Sequence, residues 1–226
     1  MCSRFFRTPT RAEIAAAFGV SEDDVPLEAA PSYNIAPSSM QPVVVADAAT
    51  GGRALRVMRW GLVPAWVKDL KTFKASTINA KAETLLEKPM WKGAFTRRRC
   101  LVPASGFYEW KSLGGKDKQP YAFRLAGDGV MAMGGLWEHW RAPDGGVEWD
   151  SFAIVTTEPN ELTRTVHDRM PLILEPTKWG EWLDTRSVPV DLLRPLDAGA
   201  MRMYPVDRRV GNVRNNEPSL CEAVAP

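Results

Sequence analysis

The chain has 226 residues, 45% of them hydrophobic and 25% charged, with a formal net charge of +2. That size and balance suit one globular domain with a real core and exclude a disordered or fibrous chain. No apolar run is long enough to cross a bilayer, and Arg4, Arg7, Arg11 and Glu13 interrupt the N-terminus where a signal peptide needs a continuous apolar stretch, so a cytoplasmic, nucleoid-associated protein is expected.

In chain order, Thr10-Arg-Ala-Glu13 is a capping box that opens a short helix, which Gly19 closes. An irregular, proline-bearing stretch follows over residues 21–42. Residues 43–46 and 53–60 flank Thr50-Gly51-Gly52 and read as a hairpin. Further strands are predicted at residues 100–102, 106–111, 121–125, 130–137, 149–157 and 172–174. Gly114-Gly115, Gly127-Asp128-Gly129 and Asp144-Gly145-Gly146 mark the turns between the later ones. Short helices are predicted at residues 82–87, 90–95, 160–166 and 177–183. The pattern gives a mixed α+β single domain with a curved, barrel-like antiparallel β core and short flanking helices. It covers residues 2–210, and residues 211–226 read as a loosely held tail.

Three cysteines, Cys2, Cys100 and Cys221, lie far apart, and there are two histidines, His139 and His167. No zinc-type spacing occurs, so neither a metal, another cofactor nor a disulfide framework is expected. Trimming of Met1 before a small residue would leave Cys2 as the N-terminus, with an amine and a thiol on adjacent carbons. Such a pair traps an aldehyde first as an imine and then as a five-membered thiazolidine. The alternative is a cysteine that acts as a small buried hydrophobe. Glu109 lies in the alternating run Ser105-Gly-Phe-Tyr-Glu-Trp-Lys111, on the same face as Phe107. It is either solvated or held in an aromatic pocket that would raise its pKa and suit it to proton transfer.

His167, in Val166-His-Asp-Arg-Met-Pro171, sits at a helix–strand junction where Asp168 could orient it. His139, beside Trp137 and Trp140, looks structural. Asn79 can bind a sugar oxygen or cap a helix beginning near Lys81. Trp60 and Trp66 frame a proline-containing loop whose exposed aromatic faces suit unpaired bases. Arg4, Arg7, Lys74, Lys81 and the triplet at residues 97–99 are candidate phosphate ligands, or else a solvated edge.

These segments together resemble the SRAP family, the abasic-site processing proteins also called SOS-response-associated peptidases. The matching pieces are Met-Cys2-Ser-Arg4-Phe, Tyr33-Asn34-Ile-Ala-Pro37, Trp60-Gly-Leu-Val-Pro64, Asn79-Ala-Lys81-Ala-Glu83-Thr84, Pro103-Ala-Ser-Gly-Phe-Tyr-Glu109-Trp-Lys111 and His167-Asp-Arg-Met-Pro171. The resemblance implies a single domain with a barrel-like β core that senses abasic sites in single-stranded DNA through a covalent thiazolidine crosslink. It makes Cys2 the nucleophile, Glu109 the acid/base, and His167 an assistant in imine formation, strand cleavage or reversal.

Asn79 would hold the opened sugar, Asn34 would shape the pocket, and Arg4, Trp66 and Lys81 would touch the DNA. Two positions depart from the family pattern: Ser3 replaces a glycine and Lys81 an arginine, which loses the bidentate fork but keeps the charge. An AP lyase activity by β-elimination from the imine is expected beside the crosslink. The protein is expected to act as a monomer. Two other readings stand beside this one: a peptidase or self-processing hydrolase using Cys2 and His167, and a lesion-indifferent single-stranded DNA binder.

Overall fold

The computed structural model describes residues 2–127 and 129–225. Met1, whose removal the sequence reading expects, lies outside them, as do Pro226 and Asp128 of the predicted Gly127-Asp128-Gly129 turn. Among the described residues thirteen strands run in chain order: β1 (Phe5–Arg7), β2 (Ser32–Ile35), β3 (Met40–Ala46), β4 (Arg53–Trp60), β5 (Asn79–Lys81), β6 (Arg99–Ala104), β7 (Gly106–Gly114), β8 (Asp117–Leu125), β9 (Met131–Arg141), β10 (Glu148–Thr157), β11 (Met170–Pro171), β12 (Ile173–Leu174) and β13 (Met201–Pro205). The same residues form α-helices α1 (Arg11–Phe18), α2 (Pro89–Arg97), α3 (Glu161–Arg164) and α4 (Trp179–Leu183).

Strands β3, β4, β10, β9 and β6 form a closed five-stranded ring. The ring corrects the antiparallel expectation at one seam, because β10 lies parallel to β4, with Ser151 opposite Arg59 and Phe152 opposite Trp60. Strand β5 also runs parallel to β10. Such pairings join segments far apart in the sequence, where no turn motif announces them. The second sheet has the order β13-β8-β7-β1-β2.

Period-two alternation sorts the barrel side chains. Val43, Val45, Cys100, Val102, Phe152 and Ile154 share one buried cluster with Cys2, Phe5, Phe107 and Phe123 of the second sheet. Their neighbours Val44, Leu101, Ala153 and Val155 pack outward against α1, α2 and α4. The barrel's filling therefore continues onto the face of the second sheet, and Cys2 is part of it.

The capping box at Thr10 and the left-handed Gly19 terminate α1 as predicted. The helix predicted at residues 82–87 is only a 3₁₀ turn, Ala82–Thr84. Pairing with β10 holds the chain extended through Lys81, and Pro89 disfavours helical backbone at Lys88. The loosely held tail is likewise corrected. Leu220 is fully buried against Phe6 and Tyr108, and Asn216 Oδ1 accepts the Tyr33 N–H at 2.6 Å. Burying one such leucine stabilises by about 1.5–3 kcal/mol, enough to anchor a short segment that lacks any regular strand or α-helix.

Candidate functional site

Strand β1 places the N-terminus by splitting its two phenylalanines. Phe5 enters the barrel cluster edge-on to Trp60, with ring centroids 5.2 Å apart, while Phe6 packs on Tyr108 on the other side at 4.9 Å. Pairing of Phe5 with Phe107, and a bond from the Tyr108 N–H to the Arg4 carbonyl at 3.0 Å, lay the residues before Phe5 along β7. The start of β7 needs its glycine. A Cβ on Gly106 would stand 2.6 Å from Phe6 Cζ, so any larger residue pushes the two strands apart.

Cys2 is fully buried. Its carbonyl accepts from Asn79 Nδ2 at 2.8 Å, and Asn79 is itself fixed by the pairing of β5 with Ile154. Asn79 Oδ1 is buried with no hydrogen-bond partner among the described residues. The capping role considered for Asn79 is not what the structure shows: Lys81 is the N-cap of the 3₁₀ turn, and Asn79 holds the Cys2 backbone. Glu109, two residues beyond Phe107 on β7, is also buried rather than solvated. Burial raises its carboxyl from 4.5 to about 7. Burial, followed by the nearby Glu109 carboxylate, pushes the Cys2 thiol up, so it keeps its proton at neutral pH.

His167 reaches this group from the opposite side. Helix α3, capped by Asn160 Oδ1 on the Thr163 N–H at 2.9 Å, ends in a bond from the His167 N–H to the Thr163 carbonyl. The imidazole Nε2 then lies 3.8 Å from Glu109 Oε2, and Nδ1 lies 2.8 Å from Asp168 Oδ1. Burial lowers the His167 pKa, which keeps the ring neutral at neutral pH. Cys2, Asn79, Glu109 and His167 therefore converge from the segment before β1, β5, β7 and the loop after α3.

The expected DNA-contacting residues separate. Trp66 is 61% exposed and meets Phe73 edge-on at 6.1 Å, while Lys81 and Lys74 are also exposed. Arg4 is half-buried. Its guanidinium donates to Asn34 Oδ1 at 2.7 Å and to the Val210 and Gly211 carbonyls, and it lies over the Trp110 ring. Asn34 clamps the chain internally: its Nδ2 donates to the Val210, Asn212 and Asn215 carbonyls. Two other candidate phosphate ligands are structural. Arg7 is buried against the Glu28, Ala29 and Ala30 carbonyls and Gln41. Arg99 binds the carbonyls of Phe95, Thr96, Trp182, Asp184 and Ser187. Of the triplet at residues 97–99, Arg97 alone is exposed.

With this geometry established, comparison with known proteins decides the family. The profile of the family described as SOS response associated peptidase (SRAP) matches residues 1–213. The chain belongs to the SRAP family. Its sequence is 39% identical over 227 residues to the abasic site processing protein YoqW of Bacillus subtilis strain 168, covering 99% of this chain and 100% of that protein. It is 32% identical over 225 residues to the abasic site processing protein HMCES of Xenopus tropicalis, covering 86% of this chain and 66% of that protein. Among solved structures, a protein from Bacteroides thetaiotaomicron superposes with a TM-score of 0.89 at 26% identity, covering 99% of this chain and 100% of that one. A phage-related protein from Bordetella bronchiseptica gives 0.71 at 30% identity, covering 92% and 95%.

Two further residues of this SRAP chain belong to the site and were not singled out from the sequence. Arg169 and Glu83 form a two-point ion pair between the His167 loop and the turn after β5. Both stand inside the quoted motifs, so the residues were visible, but a pairing across 86 positions was not. Among the described residues no group of three or more histidine, cysteine or acidic side chains could hold a metal ion, and no helix is long and apolar enough to cross a membrane.

Proposed function

We propose that this protein processes abasic sites in single-stranded DNA by linking itself to them through Cys2. The observation that carries the reading is the burial of Cys2 between the Asn79 amide and the Glu109 carboxyl, with His167 Nε2 facing that carboxyl at 3.8 Å. The names of the SRAP relatives give the substrate class, abasic sites, to which the Cys2 aldehyde chemistry responds.

Once Met1 is removed, the neutral Cys2 amine attacks the C1′ aldehyde of the ring-opened deoxyribose. Glu109, poised near neutrality, gives a proton to the carbinolamine oxygen, which leaves as water, and the resulting carboxylate takes the nitrogen proton to leave the neutral imine. The Cys2 sulfur then adds to the imine carbon. The thiol proton passes through Glu109 to the imine nitrogen, which becomes the ring amine of the thiazolidine. Asn79 holds the Cys2 carbonyl so that amine and thiol present together, and its unpaired Oδ1 suits a sugar hydroxyl. The imine has a second exit. Removal of a C2′ proton expels the 3′ phosphate by β-elimination, which gives AP lyase activity. Trp66, Lys81 and Lys74 supply exposed stacking and charge for the flanking strand. The protein acts in this scheme as a monomer, in the cytoplasm at the nucleoid.

The thiol's environment tells against the peptidase and self-processing readings. Cysteine hydrolases lower the thiol pKa with a neighbouring cation, whereas Cys2 is buried beside a carboxylate and its thiol is pushed up. The test is incubation of Met1-processed protein with an abasic oligonucleotide, followed by a denaturing gel. A shifted band that disappears with Cys2→Ala is expected. An undiminished band in Cys2→Ala, or peptide turnover without any band, would overturn the assignment.

A further inference from the structure

We propose that Glu83 is a positioning residue for His167: by clamping Arg169, it fixes the imidazole in the tautomer whose proton is on Nε2, facing Glu109. The inference rests on the reading of His167 and Glu109 as the proton-moving pair, and it adds the device that aims one of them.

His167 Nδ1 receives two opposite demands. The Arg169 backbone N–H donates to it at 3.0 Å, which requires a lone pair. Asp168 Oδ1 lies 2.8 Å away, which favours a proton there. A neutral imidazole has one N–H, so only one demand can be met. Which ring nitrogen carries the proton follows from the bond that the other makes.

The two competitors differ in freedom. The Asp168 side chain is 88% exposed and can turn to water. The Arg169 backbone cannot move while its side chain is held. Its guanidinium forks onto both Glu83 oxygens, with Nη2 to Oε2 at 3.0 Å, and also donates to the Thr156 carbonyl. The next residue, Met170, pairs with Thr157 in the sheet. Two-point arginine–carboxylate pairs fix geometry as well as energy. With the clamp closed, the backbone donor keeps Nδ1 as acceptor, and the proton sits on Nε2, 3.8 Å from Glu109 Oε2. With the clamp open, the 168–169 peptide relaxes, Asp168 claims a proton on Nδ1, and Nε2 turns a lone pair toward Glu109. Proton exchange between the two then loses its donor.

The chain's two histidines make this measurable in the free protein. In ¹⁵N-labelled, Met1-processed protein, His139→Gln leaves a single imidazole, whose two nitrogen shifts report its tautomer. The expected wild-type signature is an acceptor Nδ1 and a protonated Nε2. Glu83→Gln, at a largely exposed side chain, should move the signature toward protonated Nδ1 and slow crosslinking about tenfold, a fraction of what general acid–base catalysis contributes. Asp168→Ala added to Glu83→Gln should restore both, because the competing acceptor is gone. Asp168→Ala alone should give only the Nε2–H form.

Nitrogen shifts unchanged by Glu83→Gln, or a double variant that recovers neither tautomer nor rate, would overturn the proposal. The shifts are read without DNA. An intact tautomer response with no crosslink at all would sink the functional reading and leave this one standing, and a crosslink with no tautomer response would do the reverse.

Discussion

The molecule holds two histidine–aspartate pairs of the same separation in opposite settings. His139 Nδ1 lies 2.8 Å from Asp150 Oδ1, and its Nε2 lies 3.7 Å from Glu148, a 51% exposed carboxylate that also binds Arg141. His167 Nδ1 lies 2.8 Å from Asp168, and its Nε2 lies 3.8 Å from Glu109, whose side chain is 4% exposed. Distances alone do not separate these two triplets. The third group does: burial raises Glu109 to about 7, while Glu148 stays in water with an arginine partner. A carboxyl near neutrality can both give and take a proton, which a solvated surface carboxylate does poorly. The comparison teaches that the two triplets differ in the packing behind the carboxyl facing Nε2 and not in the residue types around the ring.

Paired substitutions can break that comparison. The largest effect is expected at the carboxyls. Glu109→Gln should slow crosslinking by about 10²–10⁴-fold, the range of a lost acid–base group, while Glu148→Gln should leave the rate unchanged. Time courses on denaturing gels measure both, and a slow Glu148→Gln would show that burial is not what distinguishes the sites.

The second effect is on stability. The folded Glu109 pKa lies above its ordinary 4.5, so its stabilising contribution is full below about 4.5 and is lost as pH rises through about 7. Wild type should therefore lose about 3 kcal/mol relative to Glu109→Gln between pH 4 and pH 8 in denaturant melts, at about 1.4 kcal/mol per pKa unit. A parallel pH dependence in the two proteins would contradict the buried, raised carboxyl.

The third concerns the strand-binding surface. Trp66→Ala should weaken binding of an intact single strand by about 1–3 kcal/mol in a fluorescence titration, if its exposed ring stacks on a base. The smallest effect is at the outer pair: His139→Gln should change stability by at most about 1 kcal/mol, as an exposed ion pair does.

Much of the β framework was legible because it rests on local chemistry. The hairpin around Thr50-Gly51-Gly52, the capping box at Thr10 and the strand carrying Glu109 all appear where turn residues and alternation put them. The parallel seam between β4 and β10 was not, because a parallel pairing leaves no turn signal. Charge was the weakest guide. Arg7 and Arg99 look like surface cations in sequence, yet each satisfies several backbone carbonyls in the interior, a demand set by the fold and invisible in composition. At the site, the quoted motifs contained Cys2, Asn79, Glu109 and His167. Their mutual distances, the bond from Asn79 to Cys2 and the Glu83–Arg169 clamp came only from tertiary structure. Asn34's partners were not legible because its amide binds the segment after Val210, a segment the sequence presented as a tail.

That last tie has a consequence for the order of events in making the protein. Strand β1 finds its partner only when Phe107 has been synthesised, and Arg4 finds its carbonyls only when Val210 and Gly211 have. Contacts of such long sequence separation form slowly and late. A nascent or half-folded chain therefore carries its N-terminus without the Glu109 carboxyl and the His167 imidazole beside it. In the proposed scheme, the complete set of groups around Cys2 exists only once the chain has folded through Val210 and Gly211.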